Sequence, residues 1–229
     1  MKKFKFLTII TLFALAFVSC EDEKTPDDGL SQDINDLISD ENLAILEELG
    51  MPINKGTQPP ALSKIYLLSP DILLNSNRDG DVISTTYADF KVKFYDQSSN
   101  KLDIKIDFKN GSSTGTGLGS FVAGSGDKFT VFSEITSTNG SYSAKLAYVF
   151  SGTIVAGGLE DFHVSLIMLD DYGDPGGIYI EVGDARVFHD SDGFSGEIGA
   201  LFTGEGDNEE KFKYLEDAVS TFALSNPKK

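Results

Sequence analysis

Tryptophan is absent from this 229-residue chain, cysteine occurs once and histidine twice. A lone cysteine excludes an intrachain disulfide, so the folded part must hold together by packing. Sugar-binding platforms commonly use exposed aromatic rings, Trp above all, so its absence weighs against a glycan-binding face. Positive charge is also scarce, with 19 Lys and Arg against 36 Asp and Glu and a formal net charge of −17. A surface of that sign repels nucleic acid and anionic lipid head groups, and no basic cluster offsets it. After the first twenty residues no apolar run is long enough to cross a bilayer.

Enzymatic patterns are missing too. No serine sits in a Gly-x-Ser-x-Gly elbow. Gly115, Gly117 and Gly119 form Gly-x-Gly-x-Gly but do not open a helix, as a phosphate-binding loop requires. His163 lies in an alternating strand, on the face opposite Phe162, Val164, Leu166 and Met168. His189 stands beside Asp190 at a strand end, but neighbours along a strand point to opposite faces, so the two are no catalytic pair. The expectation is a protein that is not an enzyme.

The N-terminus carries the most specific signal. Lys2, Lys3 and Lys5 precede an apolar run from Leu7 to Val18, followed by Ser19, Cys20 and the acidic Glu21-Asp22-Glu23. A basic start, a short apolar middle and a small residue before the cut describe a secretory signal over residues 1–19. At roughly 1.5 Å per residue that run spans about 18 Å, short of a roughly 30 Å hydrocarbon core. Phe17-Val18-Ser19-Cys20 resembles a bacterial lipobox, although Leu is commoner than Phe at the position of Phe17. The resemblance implies lipidation of Cys20 and anchoring in a membrane. Loss of residues 1–19 would leave the mature chain near −20.

Residues 20–33 are acidic and lack apolar periodicity, as a solvated tether would. The acidic stretch after Cys20 also resembles the surface-export signal of Bacteroidetes lipoproteins, which implies an exported, outer-membrane protein and favours the cell surface. Ile34, Leu37, Ile38, Ala44, Ile45 and Leu49 then follow helical spacing until Gly50 and Pro52. This predicts a short amphipathic helix over about 34–49, which a break near Asp40 would divide.

Beyond residue 62 the period shortens to two. Phe90-Lys91-Val92-Lys93-Phe94 alternates, and Leu102, Ile104, Ile106 and Phe108 alternate with charged residues up to Asn110-Gly111, a hairpin turn dipeptide. Further strands are expected at 63–69, 116–123, 128–136, 142–155, 161–169, 178–189 and 194–203. With no helical pattern between them the fold class is mainly β, a single domain over 34–229. An antiparallel up-and-down barrel removes the exposed edges of such a meander, and a two-sheet sandwich is the alternative. Asp207 and Glu210 look like a capping box for a C-terminal helix over about 208–223. A barrel followed by a late helix resembles the calycin or lipocalin plan, without the Gly-x-Trp signature of lipocalins. Gly56-Thr57-Gln58-Pro59-Pro60, Tyr66, Ser69-Pro70, residues 167–171 and residues 186–193 are similar to uncharacterised Bacteroidetes outer-membrane lipoproteins.

Two kinds of candidate site follow. Asp170, Asp171 and Asp174 in one loop, and Asp190 and Asp192 in another, gather carboxylates at strand ends, where they could together supply the six to eight oxygens that calcium takes. Turns favour Asp and Gly for backbone reasons as well, and neither loop fits the EF-hand pattern. Tyr142, Tyr148 and Phe150 on one strand could line a ligand cavity or fill a core. Apart from calcium no cofactor is expected. The functional expectation is a lipid-anchored envelope protein that holds a small apolar ligand in its barrel. The alternative is a structural or protein-interaction lipoprotein without such a ligand.

Overall fold

The computed structural model describes residues 29–201, apart from 99, 101, 112, 140 and 141. Cys20, residues 1–19, most of the tether and the helix expected at 208–223 lie outside the described residues.

Two helices occupy the expected helical stretch, α1 (Gln32–Leu37) and α2 (Asp40–Glu48). Ser31 and Ser39 cap them, each hydroxyl accepting a backbone N–H three residues on, from Ile34 and Asn42 at 3.3 Å. Ser39 therefore sets the break, because an N-cap must leave helical geometry. Acidic residues follow both caps, where the helix dipole favours them. α2 ends in a Schellman arrangement. Gly50, at φ 96°, donates to Glu47 O, and buried Met51 donates to Leu46 O at 2.9 Å.

Eleven strands follow: β1 (Thr57–Gln58), β2 (Ile65–Leu68), β3 (Asp71–Ser76), β4 (Phe90–Tyr95), β5 (Asp103–Asn110), β6 (Ser113–Ser125), β7 (Lys128–Asn139), β8 (Tyr142–Val155), β9 (Gly158–Asp170), β10 (Ala185–Asp190) and β11 (Phe194–Ile198). All belong to one hydrogen-bonded sheet, in the order β11-β2-β4-β5-β6-β7-β8-β9-β10-β3. β11 also pairs with β9, so the path returns on itself and the protein is mainly β with a ring-like sheet. The ring is not a uniform barrel. β1 pairs with β6 in parallel, and β9 divides its partners between β10 and β11. The hairpin turns fall at the glycines that tolerate positive φ, such as Gly126 between Ser125 and Lys128.

Side-chain alternation separates two cores. Phe90, Val92, Phe94, Ile104, Ile106 and Phe108 point into the ring, while Lys91, Lys93, Lys105 and Lys109 face outward. Opposite Phe108 the register places Gly115, where a Cβ would overlap the phenyl ring. The glycines of β6 are thus space for an aromatic neighbour. β8 and β9 are apolar on both faces because both are covered. Tyr148, Phe150, Val164 and Leu166 enter the ring core, while Ala147, Val149 and Ile167 meet Ile34, Leu46 and Met51 from the helical segment outside. Asn54 fastens that segment to the sheet, bonding Thr130 Oγ1, Phe129 O and Ser151 Oγ at 2.7, 3.0 and 2.9 Å.

The expected strand at 178–189 begins later, at Ala185. Tyr179 and Ile180 are both buried in the ring core as consecutive residues, which strand alternation forbids. Residues 171–184 instead fold as a loop over one mouth of the ring.

The ring core predicts an asymmetric mutational response along β4. Phe94→Ala should cost about 3–5 kcal/mol in urea denaturation, whereas its outward neighbour Lys91 should tolerate Ala within about 0.5 kcal/mol.

Candidate functional site

Three places concentrate chemistry, and they begin with the ring interior. Tyr66, Phe90, Phe94, Phe108, Phe129, Tyr148 and Phe150 make a continuous aromatic network. Their ring centroids lie between 5.0 Å (Phe108–Tyr148) and 6.2 Å (Tyr148–Phe150), the distances of direct aromatic contact. Tyr148 and Phe150, two candidates for lining a ligand space, are packed against neighbouring rings, and burial pushes the Tyr148 phenol pKa up. Tyr142 is half-buried at the mouth, where its carbonyl accepts the Tyr179 hydroxyl at 3.0 Å. That contact ties the 171–184 loop down over the aromatic network.

The second place is a carboxyl pair at the seam of β3 and β10. Asp71 and Asp190 are directly opposite in register, and both are buried. Asp190 accepts from Ser69 N at 3.1 Å and Ser195 Oγ at 2.7 Å, which equips it to carry charge. Asp71 has only a long bond from Asn110 Nδ2, at 3.3 Å to Oδ2, and its buried Oδ1 has no hydrogen-bond partner. Burial, then the charges of Asp190 and Asp89, raise the Asp71 pKa to about 8. Asp190 is itself raised, by burial above all, against the lowering bonds of Ser195 and Ser69. At neutral pH the pair therefore holds a proton, on Asp71. A carboxyl pair of this kind can serve acid–base catalysis only where substrate reaches it, and here both groups are sealed inside.

The third place is an ion cluster. Arg186, 2% exposed, grips Asp81 through Nε at 2.6 Å and a terminal nitrogen at 2.8 Å. Arg78 joins Asp81 at 3.1 Å and Asp184 at 3.7 Å. Burial pushes the Asp81 carboxyl up, but the bonds from Arg186, Ser76 and Arg78 outweigh it and hold the pKa below the ordinary carboxylate range. Beside this cluster opens a cleft of about 310 Å³ lined by Asn77, Arg78, Asp79, Tyr179, Glu181 and Asp184. The two loops that form it also expose Val82 and Val182, 70% and 57% accessible.

No family model, curated protein or solved structure matches this chain. Its site has to be judged on its own geometry.

The expected calcium loops do not come together. Asp170 ends β9, whereas Asp190 follows His189, which pairs with His163 seven residues back along that strand. At roughly 3.3 Å per residue the loops are about 20 Å apart. Each carboxylate closes a local turn: Asp170 accepts from Tyr172 N, Asp171 from Gly173 N, Asp174 from Tyr179 N and Asp192 from Phe194 N, at 2.8–2.9 Å. Among the described residues no group of three or more His, Cys, Asp or Glu is arranged to hold a metal ion. The Asp71–Asp190 and Arg186–Asp81 pairs escaped sequence reading because each joins positions more than a hundred residues apart. An Arg in the apolar run Ala185–Phe188 was the available signal, since an inward-facing guanidinium demands a carboxylate.

Two outcomes follow. A protonated Asp71 stabilises the fold fully below about pH 4 and loses that contribution as pH rises through about 8, since the folded state binds the extra proton in between. Melting temperature should fall over this range in the native protein, and Asp71→Asn should flatten the fall and be the more stable form at pH 9, by about 1–3 kcal/mol. Asp81→Asn should cost about 3–5 kcal/mol by removing the buried carboxylate that Arg186 and Arg78 both bond, read by chemical denaturation at pH 7.

Proposed function

We propose that this chain is a lipid-tethered envelope protein that works by binding another envelope protein with its outer surface, not by catalysis and not by enclosing a small apolar ligand. The observation that carries the reading is the aromatic network: Tyr148 and Phe150, the candidates for walling a ligand space, pack directly against neighbouring rings. Side chains packed ring against ring suit a scaffold whose recognition lies on its surface. The cleft between residues 77–79 and 179–184 is the place best suited to it. There Asp79, Glu181 and Asp184 supply charge, and Val82 and Val182 on the same loops supply exposed apolar surface.

The finer architecture is read as calycin-like. If β2 with β3 and β10 with β11 are counted as single bent strands, the ring members follow one another in chain order with antiparallel pairing. That is the order of an up-and-down barrel. The anchor is Cys20, and the acidic residues that follow it favour the outer membrane and its outer surface.

Purification from its own membranes and native mass spectrometry test the reading. The expected spectrum shows an acylated chain with no retained small molecule, and proximity labelling from the tether identifies one dominant envelope protein, weakened by Glu181→Arg. A stoichiometric apolar ligand surviving in the native spectrum would overturn it. Cys20→Ala should abolish palmitate labelling and move the protein out of the membrane fraction.

A further inference from the structure

The chain has two histidines, and the fold sets them face to face. His163 of β9 and His189 of β10 are directly opposite in the antiparallel register, so their side chains leave the same face of the sheet. Phe162, Val164 and Phe188, their neighbours in sequence, enter the ring core, which places both imidazoles on the outside. The rings lie 6.0 Å apart between centroids and 25° from parallel.

From this juxtaposition we propose that His163 and His189 form a two-histidine site for a divalent transition metal of the zinc, copper or nickel class. Two imidazole nitrogens that bind one ion at roughly 2.0–2.1 Å bring their ring centroids to about 5–6 Å, so small rotations suffice. The tautomer is arranged for it. Nδ1 of His163 lies 2.8 Å from the carbonyl oxygen of Asp161, which can only accept, so that bond puts the proton on Nδ1. The lone pair is then on Nε2, in the way a backbone carbonyl commonly orients a metal-binding histidine. Imidazole selects this class of metal over calcium and magnesium, which take oxygen. No third protein ligand joins the pair among the described residues, so water completes the coordination. Because His189 belongs to the strand that leads into β11, a metal here clips β9 to the closing segment of the ring.

The test uses full-length protein without an affinity tag, stripped with chelator at pH 7.5. Zinc titrated by calorimetry should bind saturably, one ion per chain, and raise the melting temperature. His163→Gln and His189→Gln should each weaken binding at least about tenfold while the circular dichroism spectrum is unchanged. Copper added to the native protein should give an electron paramagnetic resonance spectrum with imidazole nitrogen coupling. Because only two histidines exist, diethyl pyrocarbonate modification of the native protein gives a readout independent of the variants, and zinc should protect both rings. Absence of saturable zinc binding below millimolar concentration, binding that neither substitution changes, or modification of both rings in the presence of zinc would each overturn the proposal.

Discussion

β11 is five residues long and holds two partners. Phe194 to Gly196 pair with β9, and Glu197 and Ile198 pair with β2. Without this double contact the hydrogen-bonded path would end at β2 and β3, and the first residues of β9 would lose their partner. Pairing of β2 with β4 sets Tyr66 6.1 Å from Phe94, and from there contacts run ring to ring to Tyr148 and Phe108.

The functional reading descends from that interior. Seven rings linked pair by pair run through the core, and the loop over its mouth adds Tyr179 and Ile180 to the same cluster. Charge is handled in two ways at the seam. Arg186 and Asp81 satisfy one another, so their burial asks only for good geometry. Asp71 faces a second carboxylate and keeps a proton instead. Asp71, Asp190 and Arg186 are all buried. On the outside the helical segment covers β7 to β10, while the cleft beside Arg78 is open.

Much of the fold was legible in the sequence. The 142–155 strand coincides with β8, because turn residues bound it on both sides and an apolar run fills it. β4 and β5 were equally plain, since one face is charged and one apolar. β3 was not anticipated: Pro70 precedes it, and Asp71-Ile72-Leu73-Leu74 lacks alternation because Asp71 faces inward as a buried acid. Ile178-Tyr179-Ile180 reads as strand by propensity but serves as a plug, a case of packing overriding local preference. The sites were less legible. Tyr148 and Phe150 were correctly placed on one inward face, yet the choice between lining and filling depends on rings contributed by β4, β5 and β7. The pairings Asp71 with Asp190 and His163 with His189 are facts of strand register, and that of Arg186 with Asp81 depends on how the loop after β3 folds back, none of which one sequence displays.

Ring closure is tested most directly by native-state hydrogen exchange on the strand that performs it. If β11 bridges β2 and β9 as described, the amides of Ser195 to Ile198 should be protected to within about tenfold of those in the middle of β8, because both open only when the ring does. Exchange of the β11 amides at the rate of a free chain, while β8 remains protected, would show that β11 does not bridge β2 and β9 and contradict the account.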